Sequence, residues 1–296
     1  MQYSKPSLTF EQQADLLLSR GLIADRLMLI DRLQCVNYYR LSGYLYPFRL
    51  ENDTYKNGTT LDQVWQIYTF DRQLRILVMD AIERVEVSVR TQLAYHFAQH
   101  YGPFAYTSKH LFPNMEAEEF QKWLHELRAE VERTNEVFIQ HFRNKYGDRH
   151  ADLPIWMLTE VMSFGKTLTF YRTVSREIQN PVALRYHIPH NLLESWLRSL
   201  NAIRNICAHH GRLWNRVLGY KPQLPNPKKH SEWYQPFPIP QDKMFVILTI
   251  LRYLLRFDAP TSRWSDRLGK LITDNKFISL RPYGFPNQWE EHTIWR

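Results

Sequence analysis

The sequence predicts an all-α fold, a helical bundle, on three observations. Glycine is scarce at 10 residues, and most of the 16 prolines are clustered, so long segments run without a breaker. The apolar residues of those segments recur with helical periodicity. Strand-like alternation of apolar and polar residues is nearly absent.

The elements follow in order. A first helix is expected from about Thr9 to Arg20, with Leu16 and Leu17 inward and Gly21 as its stop, and a second from about Asp25 to Val36. Asn37 to Tyr44 reads as an aromatic cluster ending in a turn, and Glu51 to Gly58 as a polar loop. A long helix from Leu61 to His100 places Val64, Ile67, Tyr68, Leu74, Leu77, Ala81, Val85, Leu93 and Phe97 on one stripe. Gly102-Pro103 ends it. Glu116 to Lys145 reads as one very polar helix, a solvated arm or a partner-facing surface. Pro154 opens a helix running to about Ser175, and Pro181 and Pro189 bracket an irregular stretch. The next helix starts near Asn191, with Glu194 three positions on completing a capping-box pattern, and stops at Gly219. Six prolines from Pro222 to Pro240 make a long extended loop. An apolar helix over Asp242 to Phe257 and a short helix after Thr261 complete the chain. The expected division is 1–58, an N-terminal helical extension; 59–258, the main helical domain; and 259–296, a C-terminal cap.

A chain of 296 residues buries enough surface to hold a core without disulfides. With 44% hydrophobic and 23% charged residues, it is neither disordered nor fibrous. The longest apolar run, Met244–Leu251, is far shorter than a membrane span of about 20 residues. The first six residues, Met1 to Pro6, contain no apolar stretch of a secretory signal. Cys35 and Cys207 both sit in helical apolar patterns, and the simplest reading is a cytoplasmic protein with two buried thiols. The net charge is +8, and 26 of the 38 basic residues are arginine. Arginine's planar fork suits phosphate recognition better than an ammonium does, and 14% of the residues are aromatic. This composition fits a nucleic-acid binder as well as it fits a basic protein with no specific ligand.

One segment separates into two chemical faces. On a helical wheel from Trp196 to Val217, Arg198, Asn201, Asn205, His209, Arg212 and Arg216 fall within an arc of roughly 80°. Trp196, Leu200, Ile203, Cys207, Trp214 and Val217 lie opposite as core. The polar arc contains no acid and no lysine, whereas a solvated helix face mixes both signs. Cationic and neutral donors alone fit an anionic ligand. His210 falls in the apolar stripe and is expected to be packed, which leaves His209 as the candidate for chemistry. Arg204 lies at the edge of the arc. By itself an Arg-x(4–6)-His spacing means little: five pairs in the chain fit it and about three are expected by chance.

The context is more specific. Leu200 to Asn215, Leu-Asn-Ala-Ile-Arg-Asn-Ile-Cys-Ala-His-His-Gly-Arg-Leu-Trp-Asn, resembles the motif of bacterial abortive-infection (Abi-like) proteins of the HEPN superfamily. The resemblance extends, in order, through Lys5-Pro6, Arg20-Gly21-Leu22, Asn37–Tyr44, Tyr68–Arg75, Ile82–Glu86, Leu153–Trp156, Phe164-Gly165 and Gly284-Phe285-Pro286. It implies a HEPN-type helical bundle and a metal-independent RNA endonuclease acting in phage defence, toxic when released. The RNA 2′-hydroxyl would attack its own phosphate and leave a 2′,3′-cyclic end. Histidine is the natural proton carrier near neutral pH, and arginine the natural donor to the charged phosphorane. The resemblance makes His209 the general acid/base, Arg204 the phosphate-binding group and Asn205 the group orienting either. Arg198, Asn201, Arg212, Asn215 and Arg216 would contact RNA, with His210 supporting the site. One motif per chain would require a homodimer in which two motifs meet.

Other features divide between structural and functional readings. Glu86–Arg90 is either a surface i,i+4 pair or, as the resemblance suggests, a support in which Glu86 holds Arg204. Arg90/His96 lacks the Asn of the motif and is not expected to form a second one. Glu160 is expected to be solvated. Tyr38, Tyr39, Tyr44 and Tyr46 are expected mostly to pack, although with Arg40 they could stack bases. No metal or cofactor is expected: His-Glu-x-x-His, Cys-x-x-Cys, a phosphate-binding glycine loop and Gly-x-Ser-x-Gly are all absent, and the His96/His100 pair lacks a carboxylate. Two non-enzymatic readings remain open. One is a module holding a structured regulatory RNA without cutting it. The other is an interaction module whose Glu116–Lys145 helix docks a phage or host protein as a trigger.

Overall fold

The computed structural model describes Gln2 and residues 6–296, so Lys5 of the Lys5-Pro6 pair lies outside the described residues. Twelve α-helices and no strands occur among them: α1 (Phe10–Ser19), α2 (Arg26–Val36), α3 (Tyr38–Leu45), α4 (Leu61–Tyr101), α5 (Ala117–Arg133), α6 (Val137–Tyr146), α7 (Ile155–Val161), α8 (Phe164–Thr173), α9 (Arg176–Leu184), α10 (His190–Ala208), α11 (Met244–Asp258) and α12 (Trp264–Asp274).

Helix α4 is the axis of the molecule. It has 41 residues, about 60 Å of helix, and packs against α3, α7, α8, α9, α10, α11 and α12. Thr60 caps its start by accepting from the Gln63 amide, and Gly102, at φ 91°, turns the chain away at its end. The expected stripe is buried at Val64, Ile67, Leu74, Ala81, Val85, Leu93 and Phe97. One continuous core runs from Ala14 to Trp295, so residues on both sides of positions 58 and 258 share it.

Several elements differ from expectation. Asn37, at φ 63°, ends α2 and caps α3, so the aromatic cluster is itself a helix. The Glu116–Lys145 segment is two helices, and α5 buries Phe120, Trp123, Leu124, Leu127 and Val131 rather than standing as a solvated arm. The Pro154 helix breaks at Met162-Ser163, where the Ser163 amide and hydroxyl both donate to Glu130 on α5. The stretch read as irregular contains α9, which carries Pro181 within it. Helix α10 starts at His190 behind Pro189, and no side-chain capping box forms at Asn191. Cys35 is exposed because its side of α2 is uncovered, whereas Cys207 is buried.

Candidate functional site

Helix α10 stops at Ala208, about ten residues before Gly219. His209 is its C-cap residue, and His210 follows in the left-handed region at φ 56°. The His210 amide donates to the Cys207 carbonyl at 3.0 Å and the Gly211 amide to the Ile206 carbonyl at 2.7 Å. These two bonds form a Schellman motif, with histidine in the place usually taken by glycine. A Cβ on Gly211 would approach the Ile206 side chain to 2.9 Å, so only glycine fits the position after it.

This ending corrects the single-helix wheel. Arg212, Asn215 and Arg216 lie beyond the turn and do not continue the polar face of α10. Val217, expected in the core, is 62% exposed. His210 is likewise exposed rather than packed, because the helix ends before it can point into the apolar stripe.

The turn is held from beneath by Asp71 of α4, which is fully buried. The Leu213 and Trp214 amides donate to its two oxygens at 3.1 and 2.8 Å. The Tyr44 hydroxyl of α3 donates at 2.7 Å, the Tyr283 hydroxyl of the C-terminal segment at 3.0 Å, and Arg75 Nη1, one helical turn along, at 2.7 Å. Burial beside this carboxyl pushes the Tyr44 hydroxyl up from its ordinary value. From α3, Arg40 Nη1 donates to the His210 carbonyl at 2.7 Å. Three separate elements therefore fix the chain just after the histidines.

The neighbouring charges lie on the α4–α10 seam. Arg204 Nε is 3.9 Å from Glu86 Oε2, and Arg90 pairs with the other oxygen of the same carboxyl. Glu86 is buried and faces the motif helix, so its pair with Arg90 is not a surface pair. Burial raises its pKa, opposed by Arg90 and Arg204. Arg204 Nη1 also donates to Asn205 Oδ1 at 3.4 Å. Asn205 and His209 are both exposed, and the His209 amide donates to the Asn205 carbonyl at 3.0 Å. Arg204 is thus turned toward α4, while His209 stands at the open end of α10.

The remaining candidates occupy mixed positions. Arg198 pairs with Glu194 at 3.2 Å, an acid two positions before the segment laid on the wheel. Asn201 is half-buried beside Gly165 of α8, which has no side chain to hold it off. The Arg212 guanidinium lies against Gly43 and 5.9 Å from the Tyr44 ring, and its Nη1 is buried without a hydrogen bond. Arg216 Nε donates to the Arg212 carbonyl at 2.6 Å, and Asn215 accepts from Lys243 at 3.5 Å. Glu160 is exposed on α7. Burial pushes the Cys207 thiol up to about 12, which makes it a poor nucleophile. No group of three or more His, Cys, Asp or Glu residues converges as a metal site among the described residues. No helix among them is long and apolar enough to cross a membrane.

Sequence reasoning missed Asp71, Arg75, Tyr283 and the role of Tyr44. A signal was present: Asp71 and Arg75, an i,i+4 pair, sit within the apolar stripe between Ile67 and Val78, where a charged pair must be buried together.

The family model for Abi-like proteins matches residues 31–215, and the chain belongs to this family. The matched region runs from α2 to the turn after α10 and takes in Asp71, Glu86, Arg204 and His209. Membership suggests a role in abortive infection. No curated protein and no solved structure matches the chain.

Proposed function

We propose that this chain is a HEPN-type, metal-independent RNA endonuclease of phage defence, acting as a cytoplasmic homodimer. The observation that supports this reading is the open end of α10. His209 and Asn205 stand exposed at the end of α10, and the turn that follows is anchored by a buried carboxylate. A rigid frame under an exposed imidazole is what proton transfer to a bound substrate requires.

In the proposed reaction the imidazole of His209 accepts the proton of an RNA 2′-hydroxyl. The 2′-oxygen forms a bond to the adjacent phosphorus, the bond from phosphorus to the 5′-oxygen breaks, and that oxygen takes up a proton from the His209 imidazolium as it leaves. The products are a 2′,3′-cyclic phosphate and a 5′-hydroxyl. Arg204 supplies charge to the phosphate, and Glu86 holds it in position. Within one chain Arg204 is turned toward Glu86, so the homodimer brings a second motif to complete the site.

The test is incubation of salt-washed wild type and His209→Ala with cellular RNA in EDTA, followed by analysis of fragment ends. Cyclic-phosphate ends from the wild type alone are expected, with a loss of at least a hundredfold in the variant. Cleavage that survives His209→Ala, or that EDTA abolishes, overturns the mechanism. The orientation of Arg204 also favours a second reading, an RNA-holding protein that does not cut. Co-purification of one discrete RNA without turnover supports that reading.

A further inference from the structure

A cavity of about 540 Å³ opens between α1 and α3, away from the motif. Its lining combines two chemistries that one ligand class supplies together. Tyr38, Tyr39, Tyr46 and Tyr55 provide aromatic rings, and Arg20 and Arg49 provide guanidinium groups. Tyr39 is 86% exposed and Tyr46 67%, although most large aromatic side chains of this protein are buried. The expectation that these tyrosines mostly pack therefore holds for Tyr44 alone in full; Tyr38 is half-buried.

The two arginines approach a single carboxylate. Arg49 bonds Asp53, and Arg20 lies 4.0 Å from its other oxygen while donating to the Tyr38 hydroxyl at 3.1 Å. Among the described lining residues, Arg20 and Arg49 are the cations and Asp53 the carboxylate. Both guanidinium groups already meet Asp53, so an anionic ligand would share them with that carboxylate, and a bare anion would leave the exposed ring faces without a partner. A nucleotide offers a planar base for the rings and a phosphate for the arginines. The volume falls within the range of small-ligand sites, about 300–1,000 Å³.

Placement adds to this. Helix α3 presents Tyr39 and Ser42 to the cavity, and its C-cap residue Tyr46 joins them. Neighbouring positions on the same helix meet the motif turn, Arg40 at the His210 carbonyl and Gly43 at Arg212. The cavity and the motif turn are therefore both contacted by this one helix. We propose that the α1–α3 cavity is a nucleotide-binding pocket, with Tyr39 and Tyr46 stacking the base and Arg49 and Arg20 meeting the phosphate. The pocket does not require that the chain cut RNA.

The experiment uses the full chain carrying His209→Ala, which prevents turnover and keeps the result independent of cleavage. The probes are AMP, UMP and a short oligoribonucleotide containing 4-thiouridine, for binding and for photo-crosslinking with peptide mapping. Crosslinks are expected on Tyr39 or Tyr46. Affinity is expected to fall about tenfold with each tyrosine-to-alanine change and to be retained by the phenylalanine variants, which keep the stacking face. Both side chains are exposed, so the alanine variants should fold normally, as an unchanged melting temperature would show. Saturable binding of AMP or UMP identifies a free-nucleotide site, and binding of the oligomer alone identifies a subsite for a strand. Affinities within twofold of the parent in Tyr39→Ala/Tyr46→Ala, or crosslinks confined to α10, overturn the proposal.

Discussion

Asp71 carries more of the site's geometry than any residue of the Arg-Asn-x-x-x-His motif. Its two oxygens accept from five groups, two of them backbone amides of the turn after the histidines. Asp71→Asn removes the charge opposite a buried Arg75 and places an amide donor where a donor already points. A loss of about 3–5 kcal/mol of unfolding free energy is expected, measured by denaturant titration. Glu86 makes the opposite prediction. Burial raises its folded-state pKa, so the native state binds the proton more tightly than the unfolded chain does. Stability contributed by this group is then present at low pH and declines as pH rises through the interval between the ordinary and the raised value. Unfolding curves between about pH 4 and 7 should show this decline in the wild type and a shallower one in Glu86→Gln. The sequence marked Glu86 but not Asp71. Glu86 came with the motif it supports, whereas the importance of Asp71 depends on partners 142 and 212 positions away. No periodicity or spacing joins residues at that range.

At the scale of the element, the decisive feature is how α10 ends. Up to Ala208 the wheel describes the helix well: Trp196, Leu200, Ile203 and Cys207 are buried, and Asn205 is exposed. Beyond it the wheel fails, because a left-handed residue reverses the chain. The stop was expected at Gly219, but the left-handed position falls at His210, on a side chain that tolerates it poorly. His210→Gly should therefore stabilise the protein by about 1 kcal/mol, seen as a rise in melting temperature, while leaving the fold unchanged. At α7–α8, one of the places where sequence and structure disagree, the break coincides with a tertiary partner, Glu130 at Ser163. Helix type was readable from pattern. The α7–α8 break meets a neighbour that only the folded chain brings together.

At the scale of the whole molecule, the core is continuous from α1 to the C-terminal segment, and α4 touches most of the bundle. The three-part division at 58 and 258 remains a proposal about organisation; energetically the parts share one core. Thermal unfolding should accordingly be a single transition, with tryptophan fluorescence and far-ultraviolet circular dichroism coinciding. Separate midpoints for the two signals would show that the extension or the cap melts on its own. The net charge of +8 leads to a further expectation for the proposed RNA partner. Affinity for a short single strand should fall steeply between about 50 and 200 mM salt, and equilibrium binding at three salt concentrations measures the slope. A flat response would move the functional reading toward a protein partner.

The Tyr283–Asp71 hydrogen bond also bears on how the chain is made. A ribosome produces Asp71 first, then the histidines and the turn, and only afterwards Tyr283, 212 positions beyond Asp71. At about 5–20 residues per second, several seconds separate the emergence of the motif from that of its last supporting hydroxyl. During that interval the motif exists without its full frame. If the proposed nuclease is harmful to the cell that makes it, late completion of the frame delays activity during synthesis, when the chain still lies beside the RNA that encodes it.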